Sequence, residues 1–312
     1  MSTTVFIDGE VGTTGLQIHE RLAPRGDIEL ISLDEANRKD ADARRDALNA
    51  ADVAILCLPD DAAREAVSMI EGGTVVIDAS TAHRTADGWT YGFPEYEPGF
   101  REEIRASKRI SNPGCYAITA VALLHPVVAR GLLPGDYPVS INAVSGYSGG
   151  GKSLIAAFED ESADNHTDST IYAYALGLQH KHLPEITRWA GLARPPVFVP
   201  SVADYYKGML VQVPLALWHL PGSPSAADLH AALAEHYDGE RFVTVAPFDA
   251  ATATLDPEGL NDTNELRLYV LHNDETGQAV LAGQIDNLGK GASGQAVQTL
   301  NIVTGADEGA GL

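Results

Sequence analysis

Short apolar runs alternate with helix-like stretches through the first 110 residues, and this alternation restricts the possible folds more than any other feature. The apolar runs are VFID (5–8), IELISL (28–33), DVAILCLP (52–59) and TVVIDAS (74–80). The helix-like stretches between them lie at about 14–22, 41–50 and 61–70. Runs that are apolar at every position are typical of strands buried on both faces of a parallel sheet. The region is therefore predicted to form βαβ units of the α/β class.

The pattern changes after residue 137, where longer strand candidates follow one another with fewer helices between them. They lie at 137–148, 195–206, 208–217, 241–247, 264–273 and 278–287. This arrangement predicts a second domain of the α+β class, built on a mainly antiparallel sheet. Helices are predicted at 116–130, directly after the turn SNPG, and at 293–303.

Length and charge limit the classes of function. A chain of 312 residues exceeds what one hydrophobic core usually serves, so two domains are expected. The 43 acidic and 21 basic residues give a net charge of −22, which argues against nucleic-acid or anionic-membrane partners. There is no run of 18 apolar residues, and the first strand begins next to Met1. We therefore expect no membrane span and no targeting peptide, and predict a cytoplasmic protein.

A glycine-rich turn follows the first predicted strand. The run IDGEVGTTG places Gly9, Gly12 and Gly15 where that strand leads into a helix. Such glycines let backbone N–H groups approach a pyrophosphate at the positive end of the helix dipole, although similar turns also serve packing alone. We predict a dinucleotide-binding Rossmann domain at 1–114, a catalytic and oligomerisation domain at 115–286, and a C-terminal segment at 287–312 that packs back on the first domain.

The loop after the second strand bears on the choice of dinucleotide. Asp34 at the end of that strand is placed to bind the ribose of NAD, whereas Arg38 and Lys39 are placed to bind the 2′-phosphate of NADP. A solvated charge pair is the alternative for these two cations. We favour NADP.

The two cysteines have different surroundings. Cys57 lies inside an apolar strand pattern and is predicted to be a buried, unreactive thiol. Cys115 follows the turn SNPG and begins a predicted helix, where the helix dipole favours the nucleophilic thiolate. A purely structural cysteine is the alternative.

One histidine pair stands out among ten histidines. His180 and His182 flank Lys181 in GLQHKHLPEI (177–186), and in an extended segment they face the same side. A general base near Cys115 is the favoured interpretation. A metal half-site is the alternative, but no Cys, Asp or Glu cluster at ligand spacing accompanies the pair, so no metal is expected.

These motifs together resemble the N-acetyl-gamma-glutamyl-phosphate reductase family, which is related to aspartate-semialdehyde dehydrogenase. The resemblance extends along nearly the whole chain and rests on IDGEVGTTGLQI, VIDASTAHR, YGFPE, SNPGCYA, SGYSGGGK, HKHLPEI and DNLGKGASGQAVQ. The chain is shorter than the commoner form of the family and carries FVPSV at 198–202, as in a short subclass. Lys181 replaces the arginine of the family's H-R-H motif, which keeps the charge but changes the contact geometry.

The resemblance implies roles for particular residues. Cys115 would be the acyl-accepting nucleophile and His182 the acid/base, with His180 as the second candidate for that role, and Asn112 would help to stabilise the oxyanion. The implied NADPH-binding residues are Gly9, Gly12, Thr13, Thr14, Gly15, Arg38, Ser80, Asn287 and Lys290. The implied substrate-binding residues are Arg84, Ser148, Lys152, His180 and Lys207, and a surface charge without a ligand is the alternative for Arg84, Lys152 and Lys207.

The implied reaction is NADPH-dependent reduction of N-acetyl-L-glutamyl 5-phosphate to the 5-semialdehyde and phosphate, a step of arginine biosynthesis, in a homodimer or homotetramer. Aspartyl phosphate is the alternative substrate. A thiol acyltransferase or hydrolase without a nucleotide is a second class of function, and a non-catalytic dinucleotide sensor is a third. The glycine-rich turn disfavours the second class, and the intact SNPGCYA and HKH segments disfavour the third.

Overall fold

The structure is a computed structural model that describes residues 2–248 and 253–312. The strands are β1 (Thr3–Asp8), β2 (Ile28–Ile31), β3 (Val53–Leu56), β4 (Val75–Asp78), β5 (Thr90–Tyr91), β6 (Arg109–Ser111), β7 (Ser140–Gly146), β8 (Ile171–Ala173), β9 (Val197–Ala203), β10 (Met209–Ala216), β11 (Val243–Val245), β12 (Leu266–Asn273) and β13 (Gln278–Ile285). The α-helices are α1 (Thr13–Leu22), α2 (Ala41–Ala50), α3 (Asp60–Ser68), α4 (Phe100–Ala106), α5 (Cys115–Ala129), α6 (Gly151–Glu159), α7 (Leu183–Trp189), α8 (Ala226–His236) and α9 (Gly294–Thr304).

The chain divides into two compact units. Unit 1 comprises Met1–Gly114 and Ala292–Leu312, and unit 2 comprises Cys115–Gly291. Unit 1 contains a sheet in the order β2-β1-β3-β4-β6-β5, in which every pairing is parallel. The predicted βαβ pattern is confirmed. The short elements β5, α4 and β6 were not predicted, because their sequences carry no long apolar run.

Helix α9 belongs to unit 1, where it contacts α1, α4 and β4. Gln295, Gln298 and Asn301 on this helix are fully buried. Such amides need partners when they leave water. Gln298 Nε2 donates to Glu95 Oε1 at 2.8 Å, and Arg25 Nη1 donates to Asn301 Oδ1 at 2.6 Å. The helix is thus held by specific polar contacts as well as by apolar packing.

Unit 2 contains a sheet in the order β11-β12-β13-β10-β7-β9-β8. The pairings β11–β12 and β7–β9 are parallel and the other four are antiparallel, so the prediction of a mainly antiparallel sheet is confirmed. Helices α5 and α8 pack on one face of this sheet. Gly283 on β13 lets α5 approach, since a Cβ there would lie 2.4 Å from Thr119 Cγ2.

Helix α5 is the central helix of unit 2 and is buried from Tyr116 to Val127. It contains Pro126, which has no N–H to donate to the carbonyl of Ala122 four residues earlier. Tyr237, next to the end of α8, donates its hydroxyl to that carbonyl at 3.0 Å. No helix among the described residues combines the length and apolar character needed to cross a membrane.

Candidate functional site

The glycine-rich turn between β1 and α1 can be built only from glycines at two positions. Gly9 has a φ of +90°, and a Cβ there would lie 2.3 Å from the carbonyl oxygen of Cys57 at the end of β3. A Cβ at Gly15 would lie 2.5 Å from the carbonyl oxygen of Gly9. Gly12 is the N-cap of α1 and has no side chain to accept from the first turn of the helix.

The first turn of α1 begins with Thr13 and Thr14. Backbone N–H groups in the first turn of a helix have no acceptor within that helix, and the helix dipole makes the position favourable for an anion. A glycine cradle followed by such a helix start fits the pyrophosphate of a dinucleotide. The predicted residues of this turn are therefore brought together in the geometry that the prediction requires.

The loop after β2 contains the residues predicted to distinguish NAD from NADP. Asp34 accepts the backbone N–H of Asn37 at 2.9 Å, so its carboxylate stabilises the turn. Arg38 lies 3.9 Å from Glu35 and keeps about a third of its side chain exposed, at 34%. Lys39 is exposed. Asp34 and Lys39 are exposed and Arg38 is partly exposed, so the carboxylate and both cations of this loop can be reached by a ligand.

At the carboxyl end of β4, the carboxylate of Asp78 is completely buried and organises the following loop. It accepts hydrogen bonds from the backbone N–H and the hydroxyl of Ser80 at 2.9 and 2.7 Å. His83 Nδ1 lies 2.6 Å from the same carboxylate. The hydroxyl of Ser80, predicted to contact the cofactor, is thus a donor to Asp78 in this structure.

Arg84 and Asn112 connect this loop to the turn that precedes Cys115. Arg84 Nε donates to the backbone carbonyl of Asn112 at 3.0 Å, and its Nη2 donates to the carbonyl of Ala79 at 3.0 Å. Asn112 donates its backbone N–H to Asp78 at 2.7 Å and its Nδ2 to Ala292 at 3.0 Å. Much of the donor capacity of both residues is therefore used inside unit 1.

Cys115 is the first residue of α5 and is partly exposed. Its position at the positive end of the helix dipole favours the thiolate. Gly291 passes close behind it, since a Cβ on that glycine would lie 2.8 Å from Cys115 Cβ. Cys57 is different, because burial and the nearby carboxylates of Asp78 and Asp8 raise the pKa of its thiol to about 12.

The HKH segment lies at the start of α7 in unit 2. His180 Nδ1 accepts the backbone N–H of His182 at 3.1 Å, and the two rings lie 4.8 Å apart. Burial, together with the charge of Lys181, lowers the pKa of His180 to about 4. His180 is therefore neutral at physiological pH, and its Nδ1 acts as an acceptor.

Two tyrosines connect the nucleophile's helix to these histidines. Tyr116, next to Cys115, has its ring 5.9 Å from the rings of both His180 and His182. Tyr174 donates its hydroxyl to the Tyr116 hydroxyl at 3.3 Å and lies 3.5 Å from His180 Nε2. Burial, and to a lesser extent the nearby Cys115, raises the pKa of Tyr174 to about 12. Unit 2 thus brings Cys115 and the HKH segment into one electrostatic environment.

The remaining predicted residues of unit 2 have distinct surroundings. Asn287 accepts the backbone N–H of Gly208 at 2.7 Å and donates to the hydroxyl of Ser148 at 3.0 Å, so it joins two loops. Lys152 is exposed at the start of α6. Lys290 is fully buried, with its ammonium 5.6 Å from the centre of the Phe242 ring.

Lys207 forms ion pairs with Asp262 and, at 3.5 Å, with Asp286. Burial acts to lower the pKa of Lys207, but the hydrogen bond to Asp262 and the charges of both carboxylates outweigh it and raise the pKa overall. Its charge is already balanced within unit 2.

The sequence analysis missed several residues that organise these surroundings. They are Asp78, His83, Tyr116, Tyr174 and Asp286. Asp286 is buried and accepts the backbone N–H groups of Leu288 and Gly289 at 2.8 and 3.1 Å. A carboxylate followed by a glycine turn is the available signal for Asp286. The tyrosines carry no signal in a single sequence, because their partners are distant along the chain.

Comparisons with known proteins agree with this architecture. A family model described as Semialdehyde dehydrogenase, NAD binding domain matches residues 9–106, and one described as Semialdehyde dehydrogenase, dimerisation domain matches residues 115–287. The aspartate semialdehyde dehydrogenase II of Vibrio cholerae has a TM-score of 0.69 at 17% identity, covering 97% of this chain and 99% of that one. The enzyme of Francisella tularensis has a TM-score of 0.70 at 12% identity, covering 97% and 100%. These structures confirm the predicted fold class.

Curated relatives are much closer in sequence. The N-acetyl-gamma-glutamyl-phosphate reductase 2 of Nostoc sp. is 52% identical over 99% of this chain and 98% of its own length. The N-acetyl-gamma-glutamyl-phosphate reductase of Burkholderia cenocepacia is 54% identical over 98% of this chain and 99% of its own length. The resemblance inferred from the motifs is confirmed.

Proposed function

Because the chain belongs to the N-acetyl-gamma-glutamyl-phosphate reductase family, we propose that it reduces N-acetyl-L-glutamyl 5-phosphate to N-acetyl-L-glutamate 5-semialdehyde and phosphate with NADPH, in arginine biosynthesis. The observation that carries the proposal is the placement of Cys115 at the start of α5, within the electrostatic range of Tyr174 and next to Tyr116, whose ring lies 5.9 Å from the rings of His180 and His182. A partly exposed thiol at a helix start is suited to covalent catalysis.

In this proposal the thiolate of Cys115 attacks the acyl carbonyl of the substrate. The new C–S bond forms as the bond to the phosphate oxygen breaks, so phosphate leaves with the electron pair and a thioester remains on Cys115. When bound, the reduced nicotinamide supplies the hydride that converts this thioester to the aldehyde level. The C–S bond then breaks, and Cys115 returns to the thiolate as the semialdehyde is released.

His182 is the acid/base in this proposal, and His180 positions it. His180 has a pKa of about 4 and accepts the backbone N–H of His182, so it is neutral and already engaged as an acceptor. A group that takes and returns a proton near neutral pH needs a pKa near the working pH. The surroundings of His180 remove it from that range, which leaves His182 as the histidine of this segment for the role.

The cofactor contacts are assigned to the glycine-rich turn and the loop after β2. Gly9, Gly12, Thr13, Thr14 and Gly15 would hold the pyrophosphate, since Gly9 and Gly15 permit the tight turn that leads into the first turn of α1. Arg38 would bind the 2′-phosphate, because Asp34 accepts a hydrogen bond from Asn37 while about a third of the Arg38 side chain is exposed. Ser80, Asn287 and Lys290 stay predictions for the nicotinamide side.

Substrate binding requires cations despite the net charge of −22. Lys152 is the most open of the predicted cations, whereas Lys207 is paired with Asp262 and Asp286 and Arg84 donates to two backbone carbonyls. We assign Lys152 to the anionic groups of the substrate. Arg84 and Lys207 would bind the substrate after exchanging their present partners for it. Ser148 and His180 stay predicted substrate contacts, and Asn112 stays a predicted oxyanion donor.

We propose a homo-oligomer built on the face of the unit 2 sheet opposite α5, where Val197 and Val199 are exposed. The match of residues 115–287 to a dimerisation domain supports this proposal. A dimer is the simplest such assembly, a homotetramer is the alternative, and a cytoplasmic location stays a prediction from the sequence.

The proposed function is tested by the reverse reaction. Purified protein is mixed with N-acetylglutamate semialdehyde and NADP, with and without inorganic phosphate, and NADPH formation is followed by absorbance. We expect phosphate-dependent reduction that is abolished in Cys115→Ser and reduced about 10²- to 10⁴-fold in His182→Asn. Cys57→Ser is the matched control and should retain activity.

Aspartate semialdehyde and NAD serve as comparators, because solved aspartate semialdehyde dehydrogenases share the fold. Faster turnover of aspartate semialdehyde would indicate that aspartyl phosphate is the substrate. Faster turnover with NAD than with NADP would contradict the binding of the 2′-phosphate by Arg38. Reduction without phosphate would contradict the acyl-phosphate mechanism.

A further inference from the structure

His83 lies beside Arg84 in unit 1 and has no role in the mechanism above. Its Nδ1 lies 2.6 Å from the Asp78 carboxylate, and its ring stacks on Trp89 with centroids 4.0 Å apart and planes 12° apart. The residue is nine-tenths buried. One edge and one face of the ring are therefore fixed by the fold.

The partners of Asp78 determine which nitrogen of His83 carries hydrogen. The carboxylate also accepts the backbone N–H and hydroxyl of Ser80, so it acts as an acceptor towards all three groups. Nδ1 must then be the donor, and Nε2 is directed away from the carboxylate. A protonated His83 presents Nε2–H to a ligand while Asp78 balances its charge. An aspartate that orients a histidine in this way fixes its tautomer and direction.

The position of this pair in the sheet indicates the kind of ligand. Asp78 ends β4 and pairs with Ser111 of β6, and its carbonyl accepts the backbone N–H of Asn112. His83 therefore lies at the carboxyl edge of the parallel sheet, where ligands of open α/β sheets bind. The neighbouring cation Arg84 already donates two of its N–H groups to the carbonyls of Ala79 and Asn112. An anion at this edge needs a further donor.

We propose that His83, held by Asp78 and Trp89, is a binding residue for a phosphoryl group through Nε2–H. The proposal rests on the proposed function, which provides two sources of that chemistry. One is the phosphate of the acyl-phosphate substrate, which is inorganic phosphate in the reverse reaction. The other is a phosphate of NADP. Both offer anionic oxygens that accept a hydrogen bond from an imidazolium.

The test compares His83→Phe with His83→Gln. Phenylalanine keeps a ring that stacks on Trp89 but has no donor, whereas the amide of glutamine restores a donor near the position of Nε2. His219→Gln, at an exposed histidine in unit 2, is the matched control. Calorimetry measures the binding of inorganic phosphate and of NADP separately, and steady-state kinetics in the reverse direction gives the KM of each.

The expected result is a tenfold to hundredfold loss of affinity for one of the two ligands in His83→Phe, the size of one hydrogen bond to a charged group, with partial recovery in His83→Gln. A loss confined to phosphate identifies the substrate's phosphoryl group, and a loss confined to NADP identifies the cofactor's. Unchanged binding of both ligands would overturn the proposal. Equal losses in the two variants would also overturn it, because the ring would then be purely structural.

Failure of the proposed function is visible separately, as absence of phosphate-dependent turnover in the unsubstituted protein. The calorimetric comparison needs no turnover and decides the role of His83 independently.

Discussion

At the scale of single residues, the two cysteines differ in chemistry because of their surroundings. Cys57 is partly exposed, but desolvation of its thiol and the field of two carboxylates raise its pKa to about 12. Cys115 lies at the start of a helix and is partly exposed. The sequence distinguished the two cysteines because an apolar strand and a turn before a helix are recognisable locally, but the prediction that Cys57 is buried was wrong, since it is partly exposed.

We expect iodoacetamide at pH 8 to modify Cys115 and to leave Cys57 unmodified in the native protein. With a pKa of about 12, only about one Cys57 in ten thousand is a thiolate at that pH. Peptide mass spectrometry after short exposure measures both sites, and unfolding in urea before labelling should remove the difference. Native labelling of Cys57 at a rate similar to that of Cys115 would contradict the structure.

His180 should make the stability of the protein depend on pH. Its pKa falls from 6.5 to about 4 on folding, because burial disfavours the charged ring and Lys181 repels it. Between these values the unfolded chain binds more protons than the folded one, so stability is full above about pH 6.5 and falls as the pH is lowered towards 4.

Urea midpoints between pH 4.5 and 7.5 measure this dependence in the unsubstituted protein and in His180→Asn. The variant should lose part of the acid-side decrease, although other titrating groups will keep some of it. Identical slopes in the two proteins would show that His180 is protonated equally in both states.

At the scale of elements, helix α5 shows how a sequence conflict is resolved by a distant residue. Pro126 interrupts the hydrogen bonding of the helix, and the hydroxyl of Tyr237 satisfies the carbonyl of Ala122. A carbonyl left unsatisfied in a buried site costs about 1–3 kcal/mol. The contact joins the central helix of unit 2 to the end of α8.

We expect Tyr237→Phe to destabilise the protein by about 1–3 kcal/mol, since it keeps the ring but removes the donor. In a Pro126→Ala background the same change should cost less, because the new backbone N–H can donate to Ala122. Urea unfolding of the two single variants and the double variant completes the cycle. An equal cost of Tyr237→Phe in both backgrounds would rule out the link with Pro126.

The elements of the fold differ in how clearly their own sequences predict them. Strands β1 to β4 of unit 1 and the helix after SNPG carry continuous apolar patterns, so their type and approximate bounds followed from the sequence. The short strand β8 and the helices α4 and α6 depend on contacts outside their own segments, and no local pattern marks them. The site followed the same rule. Its glycines and Cys115 were recognisable from local motifs, whereas Asp78, His83 and Tyr174 act through partners that only the fold brings together.

At the scale of the whole molecule, net charge limits how copies of the chain can associate. Each copy carries a charge of −22, so association requires a surface that adds no further repulsion. The sheet register places the following residues on the face opposite α5: Ser140, Asn142, Val144, Ile171, Ala173, Val197, Val199, Ser201, Ala203, Leu210, Gln212, Pro214 and Ala216. None of these residues on β7 to β10 is charged, whereas β12 adds the cation Arg267 to the same face. Val197 and Val199 are 51% and 37% exposed.

We expect Val199→Asp to weaken the proposed oligomer by at least tenfold, since it adds a charge to this face in every copy. Sedimentation velocity across a concentration series measures the effect, and higher salt should partly restore association by screening repulsion. Leu16→Asp, at an exposed apolar residue of α1 in unit 1, is the control and should leave the oligomer intact. An unchanged oligomer in Val199→Asp would show that the interface lies on another surface.

The position of α9 has a consequence for the order in which the protein is made. Unit 1 combines the first 114 residues with the last 21, whereas unit 2 is one continuous segment. During synthesis the ribosome completes all of unit 2 before it adds the helix that contacts α1, α4 and β4. A nascent chain therefore contains all of unit 2 before it contains the helix that completes the packing of unit 1.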